Sequence, residues 1–229
     1  MKKLIFAALA AISISATAQN YDYRPRETWP YLLEEFTSGV VTNFGGERQA
    51  EGYFNVCVTD GSLHYIKDGK IMAADMRHFQ AARIGNDAYV NRMGRIKKVV
   101  AEEPGGKFLL LDVSVDMDEL AKQDIGLGVK SSLASTQKLN NIGISGGTTV
   151  NMELNTLISG AKDGPELPLK YKYTFLLGSR ETDATKAAFQ SLPGIDKAQS
   201  KAFLKEEKIK WHKEESLIKV LKYIAAHSE

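Results

Sequence analysis

The chain has one cysteine, Cys57, so no disulfide can form within it and a disulfide-stapled scaffold is excluded. Its 229 residues are long enough to be held by a buried core instead. Histidine is scarce as well. His64, His78, His212 and His227 form no His-x-x-x-His pair, and none stands at metal-ligand spacing from another histidine or from Cys57, so neither a metal site nor a cofactor is expected. After the N-terminus no run is apolar over the roughly 20 residues that span a bilayer, so no transmembrane segment is expected. A charge excess is missing too: 30 Lys and Arg stand against 28 Asp and Glu. A phosphate backbone or an anionic membrane surface favours a clear positive surplus, so nucleic acid is not an expected partner.

What is present begins with an address. Lys2 and Lys3 precede an apolar run over 4–14 and then Ala16-Thr17-Ala18. This is the order of a secretory signal peptide cut before Gln19, and it predicts a periplasmic or secreted protein. Loss of residues 1–18 removes two lysines and brings the charge to balance.

Residues 19–35 read as an extended lead-in, aromatic through Tyr21, Tyr23, Trp29 and Tyr31. An antiparallel β body follows over 36–178. Gly45-Gly46, Asp60-Gly61 and Asp68-Gly69 supply the positive φ angles of two-residue hairpin turns, which predicts a four-stranded meander near 38–44, 47–58, 63–67 and 70–74. Tight turns fix register. Pairing 44 with 47, 59 with 62 and 67 with 70 gathers Val41, Ala50, Phe54, Val56, Val58, Leu63, Tyr65, Met72 and Ala74 on one apolar face. Thr42, Glu47, Gln49, Glu51, Tyr53, Asn55, Cys57, His64 and Ile66 fall on the other, which is expected to be wet. A further hairpin is predicted from 98–102 and 107–115 around Glu103-Pro104-Gly105-Gly106, and a strand from the alternation over 169–177. Residues 117–150, rich in Gly, Ser, Asn and Thr, read as loops with short strands.

The end of the chain, 179–229, differs in kind. It predicts three helices near 183–191, 195–207 and 214–227; in the last, Leu217, Val220, Leu221 and Ile224 recur at helical spacing as an apolar stripe that must dock. Strands first and helices afterwards predict an α+β fold, an antiparallel sheet that closes into a barrel or stays open, with three short C-terminal helices packed on it.

Candidate sites are few, and each has a plainer reading. The predicted register sets Cys57 opposite His64 with Asn55 beyond, a Cys-His-Asn arrangement in which imidazole activates a thiol and an amide orients the imidazole. A buried free cysteine is equally a small apolar packing residue. Tyr53, Asn55 and His64 also make a polar sheet face that a ligand can meet. Lys197, Lys201 and Lys205, with Lys208, line one side of the middle helix and invite an anionic partner such as a lipid headgroup or an acidic glycan; Glu206 and Glu207 interrupt the field. Asp112, Asp116, Asp118 and Glu119 supply carboxylates, yet a glycosidase needs two of them roughly 5 to 10 Å apart across a cleft, and these read equally as the acidic start of a helix. Around Gly126, Gly128 and Lys130 the spacing departs from a phosphate-binding loop.

The segments Phe36-Thr37-Ser38-Gly39-Val40, Gly52-Tyr53-Phe54-Asn55, Leu63-His64-Tyr65-Ile66 and Gly69-Lys70-Ile71-Met72, with Leu192-Pro193-Gly194 in the tail, resemble a group of uncharacterised secreted proteins of Bacteroidetes. The resemblance implies an exported β-rich body with a short helical tail and no activity. The expectation is a non-catalytic exported protein that binds an envelope partner or an extracellular ligand through its polar sheet face or its tail. The alternatives are a hydrolase built on Cys57 and His64 or on the acidic cluster, and a carrier of a small apolar ligand in a closed sheet.

Overall fold

The computed structural model describes residues 30–46, 49–120 and 168–227. The expected signal peptide, the expected lead-in before residue 30 and the expected loop near Gly126 lie outside them. Ten strands form one antiparallel sheet: β1 (Thr37–Asn43), β2 (Gln49–Val56), β3 (Leu63–Lys67), β4 (Lys70–Ala73), β5 (Phe79–Ile84), β6 (Asp87–Arg92), β7 (Arg95–Glu103), β8 (Lys107–Val115), β9 (Leu169–Leu177) and β10 (Arg180–Asp183). A short helix α1 (Met117–Leu120) follows β8, and α2 (Lys186–Gln190), α3 (Lys197–Glu206) and α4 (Glu214–His227) close the chain. The expected α+β architecture is present. The helical part begins later than expected, because β10 lies beyond residue 178 and pairs with β9.

Tight turns set the order. Asp68 and Gly69 both take positive φ between β3 and β4, and Met93 and Gly94 do so between β6 and β7, the type I′ geometry whose twist suits a hairpin. The strand order is β10-β9-β8-β7-β6-β5-β1-β2-β3-β4, so after the meander β1 to β4 the chain returns to lay β5 on the free edge of β1. Both β5 and β6 fall in a stretch where the sequence pattern predicts no element. The sheet does not close: β10 and β4 are its two edges.

It does curl. Val41, Phe54, Val56, Leu63, Phe79, Ala82, Ile84, Tyr89 and Ile96 form one buried cluster that joins β3 to β7. In a flat sheet those two strands would stand roughly 24 Å apart at about 4.8 Å per strand. Instead the Ile96 N–H donates to the Gly61 carbonyl at 2.7 Å. The turn before β3 therefore rests directly on β7.

A second core lies under the tail. Leu217, Val220, Leu221 and Ile224 of α4 are fully buried and meet Leu109, Phe175, Phe189, Leu192 and Ile195. At roughly 1.5 to 3 kcal/mol for each aliphatic side chain removed from water, this stripe holds the helices to the sheet. Thr185 and Asp196 start α2 and α3 by accepting backbone N–H groups, Ala188 for the first and Ala198 and Gln199 for the second.

Two expectations about the meander are corrected. First, β2 and β3 pair as Asn55 with His64 and Val56 with Leu63, two residues away from the expected register. A six-residue loop over 57–62 replaces the two-residue turn, closed by Cys57 N–H to Ser62 O at 2.9 Å and Gly61 N–H to Cys57 O at 2.8 Å. A shift of two preserves which side chains share a face. Second, the expected wet face is dry near this loop: Asn55 and Cys57 are buried, because the segment before β1 lies over them. Leu32 N–H bonds Val56 O and Val58 N–H bonds Pro30 O, both at 2.9 Å, with Tyr31 bridged to Cys57.

Candidate functional site

The loop over 57–62 is built like a bracket. Gly61 takes φ +74 and sits against the Arg95 guanidinium, which donates to the Asp60 carbonyl at 2.9 Å and pairs with Asp112 at 3.1 Å. The Asp60 carboxylate Oδ1 accepts the Ser62 N–H at 2.8 Å and the Ser62 hydroxyl at 2.7 Å. With its backbone clamped from both sides, the loop presents Cys57 and Asp60 beside His64 at the start of β3.

The ligating atoms of Cys57, Asp60 and His64 all lie within 4.8 Å of one another. The Cys57 thiol is 3.0 Å from the Thr59 hydroxyl, and the Tyr31 hydroxyl is 3.0 Å from His64 Nδ1. Burial pushes the Cys57 thiol up, and the Thr59 contact offsets this only in part. Burial pushes His64 down against the pull of Asp60. Asp60 also loses water, but bonds from Ser62 and Cys57 and the proximity of His64 outweigh this and hold its carboxyl below the usual range. The resting arrangement is thus a neutral thiol, a neutral imidazole and a carboxylate. A thiolate-imidazolium nucleophile is disfavoured here, since both shifts run against it.

Asn55 takes no part in this chemistry. It is fully buried, its Oδ1 accepts the Leu33 and Val56 N–H groups at 3.0 and 2.8 Å, and its Nδ2 donates to the Leu33 and Glu35 carbonyls at 2.8 and 3.1 Å. It ties the lead-in to β2. Tyr53 is half-buried and packs on the Tyr31, Phe36 and Cys57 cluster. The acidic residues are spent separately: Asp112 on Arg95, and Asp116 on capping the Asp118 and Glu119 N–H groups, each at 3.1 Å.

The helical tail carries a second constellation. Lys201 and Lys205 of α3 are joined by Lys186 of α2 around a groove of about 220 Å³ floored by Leu204, Ile209 and Trp211. None of the three lysines enters an ion pair among the described residues. Glu207, expected to interrupt the positive field, is turned to Lys219 at 2.7 Å. Lys197 stands on the first turn of α3 outside the groove. Trp211 is fixed by Phe189, with ring centroids 6.0 Å apart, and it also lines an adjoining groove of about 460 Å³ with Tyr171, Tyr173, Thr185, His212 and the Lys172–Asp183 ion pair.

Reasoning from sequence did not find Asp60, Lys186 or Trp211, and it marked Tyr31 only as one aromatic of the lead-in. The only local signal for Asp60 was its place three residues after Cys57 and four before His64. Lys186 and Trp211 carry none, since two separate segments bring them to the α3 lysines.

No family model matches the chain, and no curated protein or solved structure matches it. Among the described residues no helix is long and apolar enough to cross a membrane.

Proposed function

We propose that this is an exported, non-catalytic binding protein whose helical tail takes an acidic glycan in the groove formed by Lys186, Lys201 and Lys205 over Trp211. The observation that carries the reading is that three lysines from two helices line one groove together with Trp211. An indole face stacks on the C–H face of a sugar ring while lysines meet its carboxylate or sulfate. Trp211 is shared with the groove of Tyr171, Tyr173 and His212, which offers room and hydrogen-bonding groups for a neighbouring sugar unit.

An anionic bilayer is the weaker match to this surface. Interfacial binding needs apolar side chains that enter the acyl region. Of the exposed large apolar residues, Phe44, Met72 and Met93 belong to turns and to β4 and Tyr171 to β9, and none lies on α2, α3 or α4. Export rests on the basic and apolar start of the chain, and the likeness to secreted β-rich proteins of Bacteroidetes agrees with it.

Calorimetric titration with oligogalacturonate, heparin-derived oligosaccharides and neutral counterparts of equal length tests the reading. Binding of an acidic oligomer, weakened by salt and by about tenfold or more in the Lys201→Ala/Lys205→Ala double variant, is the expected result. Equal binding of neutral and acidic oligomers overturns it, as does binding of anionic vesicles with none of any glycan.

A further inference from the structure

We infer that Cys57, Asp60 and His64 form a binding site for a divalent transition-metal ion of the zinc class. The inference is independent of the tail groove and rests on three donors of the right kind gathered by one clamped loop. Their ligating atoms lie within 4.8 Å of one another. Zinc bonds of about 2.0 Å to nitrogen or oxygen and 2.3 Å to sulfur set tetrahedral donors roughly 3.3 to 3.6 Å apart. Closing that difference takes up to about 1.5 Å of movement, supplied by rotation of the exposed Asp60 carboxylate and the half-buried His64 ring while Cys57 stays fixed. Thiolate, imidazole and one carboxylate suit zinc or cobalt, and they suit calcium or magnesium poorly because those ions ask for oxygen alone.

Outer contacts needed to orient such ligands are also in place. Tyr31 holds His64 at Nδ1, so that with the proton on Nδ1 the second ring nitrogen keeps its lone pair for a metal. Ser62 occupies Asp60 Oδ1 and leaves Oδ2 for coordination. Thr59 lies on the Cys57 sulfur. Three protein ligands leave a fourth position for water or an outside donor, and exposed Asp60 puts that position at the surface. Binding forms a metal–sulfur bond and breaks the Cys57 S–H bond, with the proton passing to buffer.

Cobalt titration of the tag-free, reduced protein decides the matter. We expect a thiolate-to-cobalt charge-transfer band that saturates at one equivalent, with about one proton released per metal bound. Cys57→Ser should abolish the band, His64→Gln and Asp60→Asn should each weaken binding by about tenfold or more, and zinc should raise the melting temperature of the parent but not of Cys57→Ser. Absence of the band in folded, reduced protein overturns the site. So does an affinity unchanged in both His64→Gln and Asp60→Asn, which would reduce it to a lone thiol.

Discussion

The Tyr31 hydroxyl lies 3.0 Å from Nδ1 of His64, and this contact ties the segment before β1 to the loop that carries Cys57 and Asp60. Burial lowers the pKa of His64 below its ordinary 6.5, so the unfolded chain takes up the proton first. The stability contributed by neutral His64 is then complete above pH 6.5 and is lost as pH falls through the folded-state value. Asp60 is also held low, so its contribution is lost only below the ordinary 3.8. Urea midpoints measured from neutral to mildly acid pH should fall in the parent and fall less steeply in His64→Gln. Parallel slopes would refute the assignment.

Cys57 should behave as an inert thiol in the metal-free protein. It is 4% exposed and burial raises its pKa, so thiolate is rare at neutral pH and alkylating reagents have little access. Modification by iodoacetamide should run about a hundredfold slower than for a free thiol and reach completion once urea unfolds the chain. Rapid stoichiometric labelling of the folded protein would restore the nucleophile reading.

Asn55 is expected to matter for stability. Replacing it with alanine strips partners from the Leu33 N–H and from the Leu33 and Glu35 carbonyls, in a region that its own burial shows to be dry. A loss of about 2 to 4 kcal/mol follows from leaving such groups unmet. Denaturant titration measures it, and limited proteolysis should cut near residues 30–36 sooner in the variant.

Much of the sheet was legible because Asp68-Gly69 and the alternation over 169–177 are local signals, read without knowing what packs where. The β2–β3 partner was misread for a physical reason: Asp60-Gly61 resembles a two-residue turn, while hydrogen bonds between Cys57 and Ser62 close a wider loop. Because the error was an even number of residues, the faces survived and only the cross-strand partners changed, His64 facing Asn55 instead of Cys57. The dryness of the second face was not legible, since it depends on Tyr31 and Leu32 folding back across β2. For the same reason Lys201 and Lys205 could be picked out by helical spacing, while their groove needed Lys186 and Trp211 from other segments.

Gly39 is where the sheet tolerates least. It sits in β1 between Gly52 of β2 and Ile84 of β5, with strands on both sides. A Cβ added there would press into the Arg83 carbonyl oxygen and stand 3.2 Å from both Ile84 Cα and the Phe54 ring. Two of those three atoms are backbone of β5 and cannot rotate away, so β1 and β5 must separate at the strand that joins the meander to the rest of the sheet. Gly39→Ala should therefore cost about 2 to 4 kcal/mol, in the range of overpacked cores. Gly52→Ala meets only the Phe54 ring, at 3.2 Å, and a side chain can shift, so its cost should be smaller. Thermal unfolding of the two variants provides the comparison. Equal melting temperatures would mean that β5 yields as readily as a phenyl ring, and the close approach of β1 to β5 would then not be a constraint on the fold.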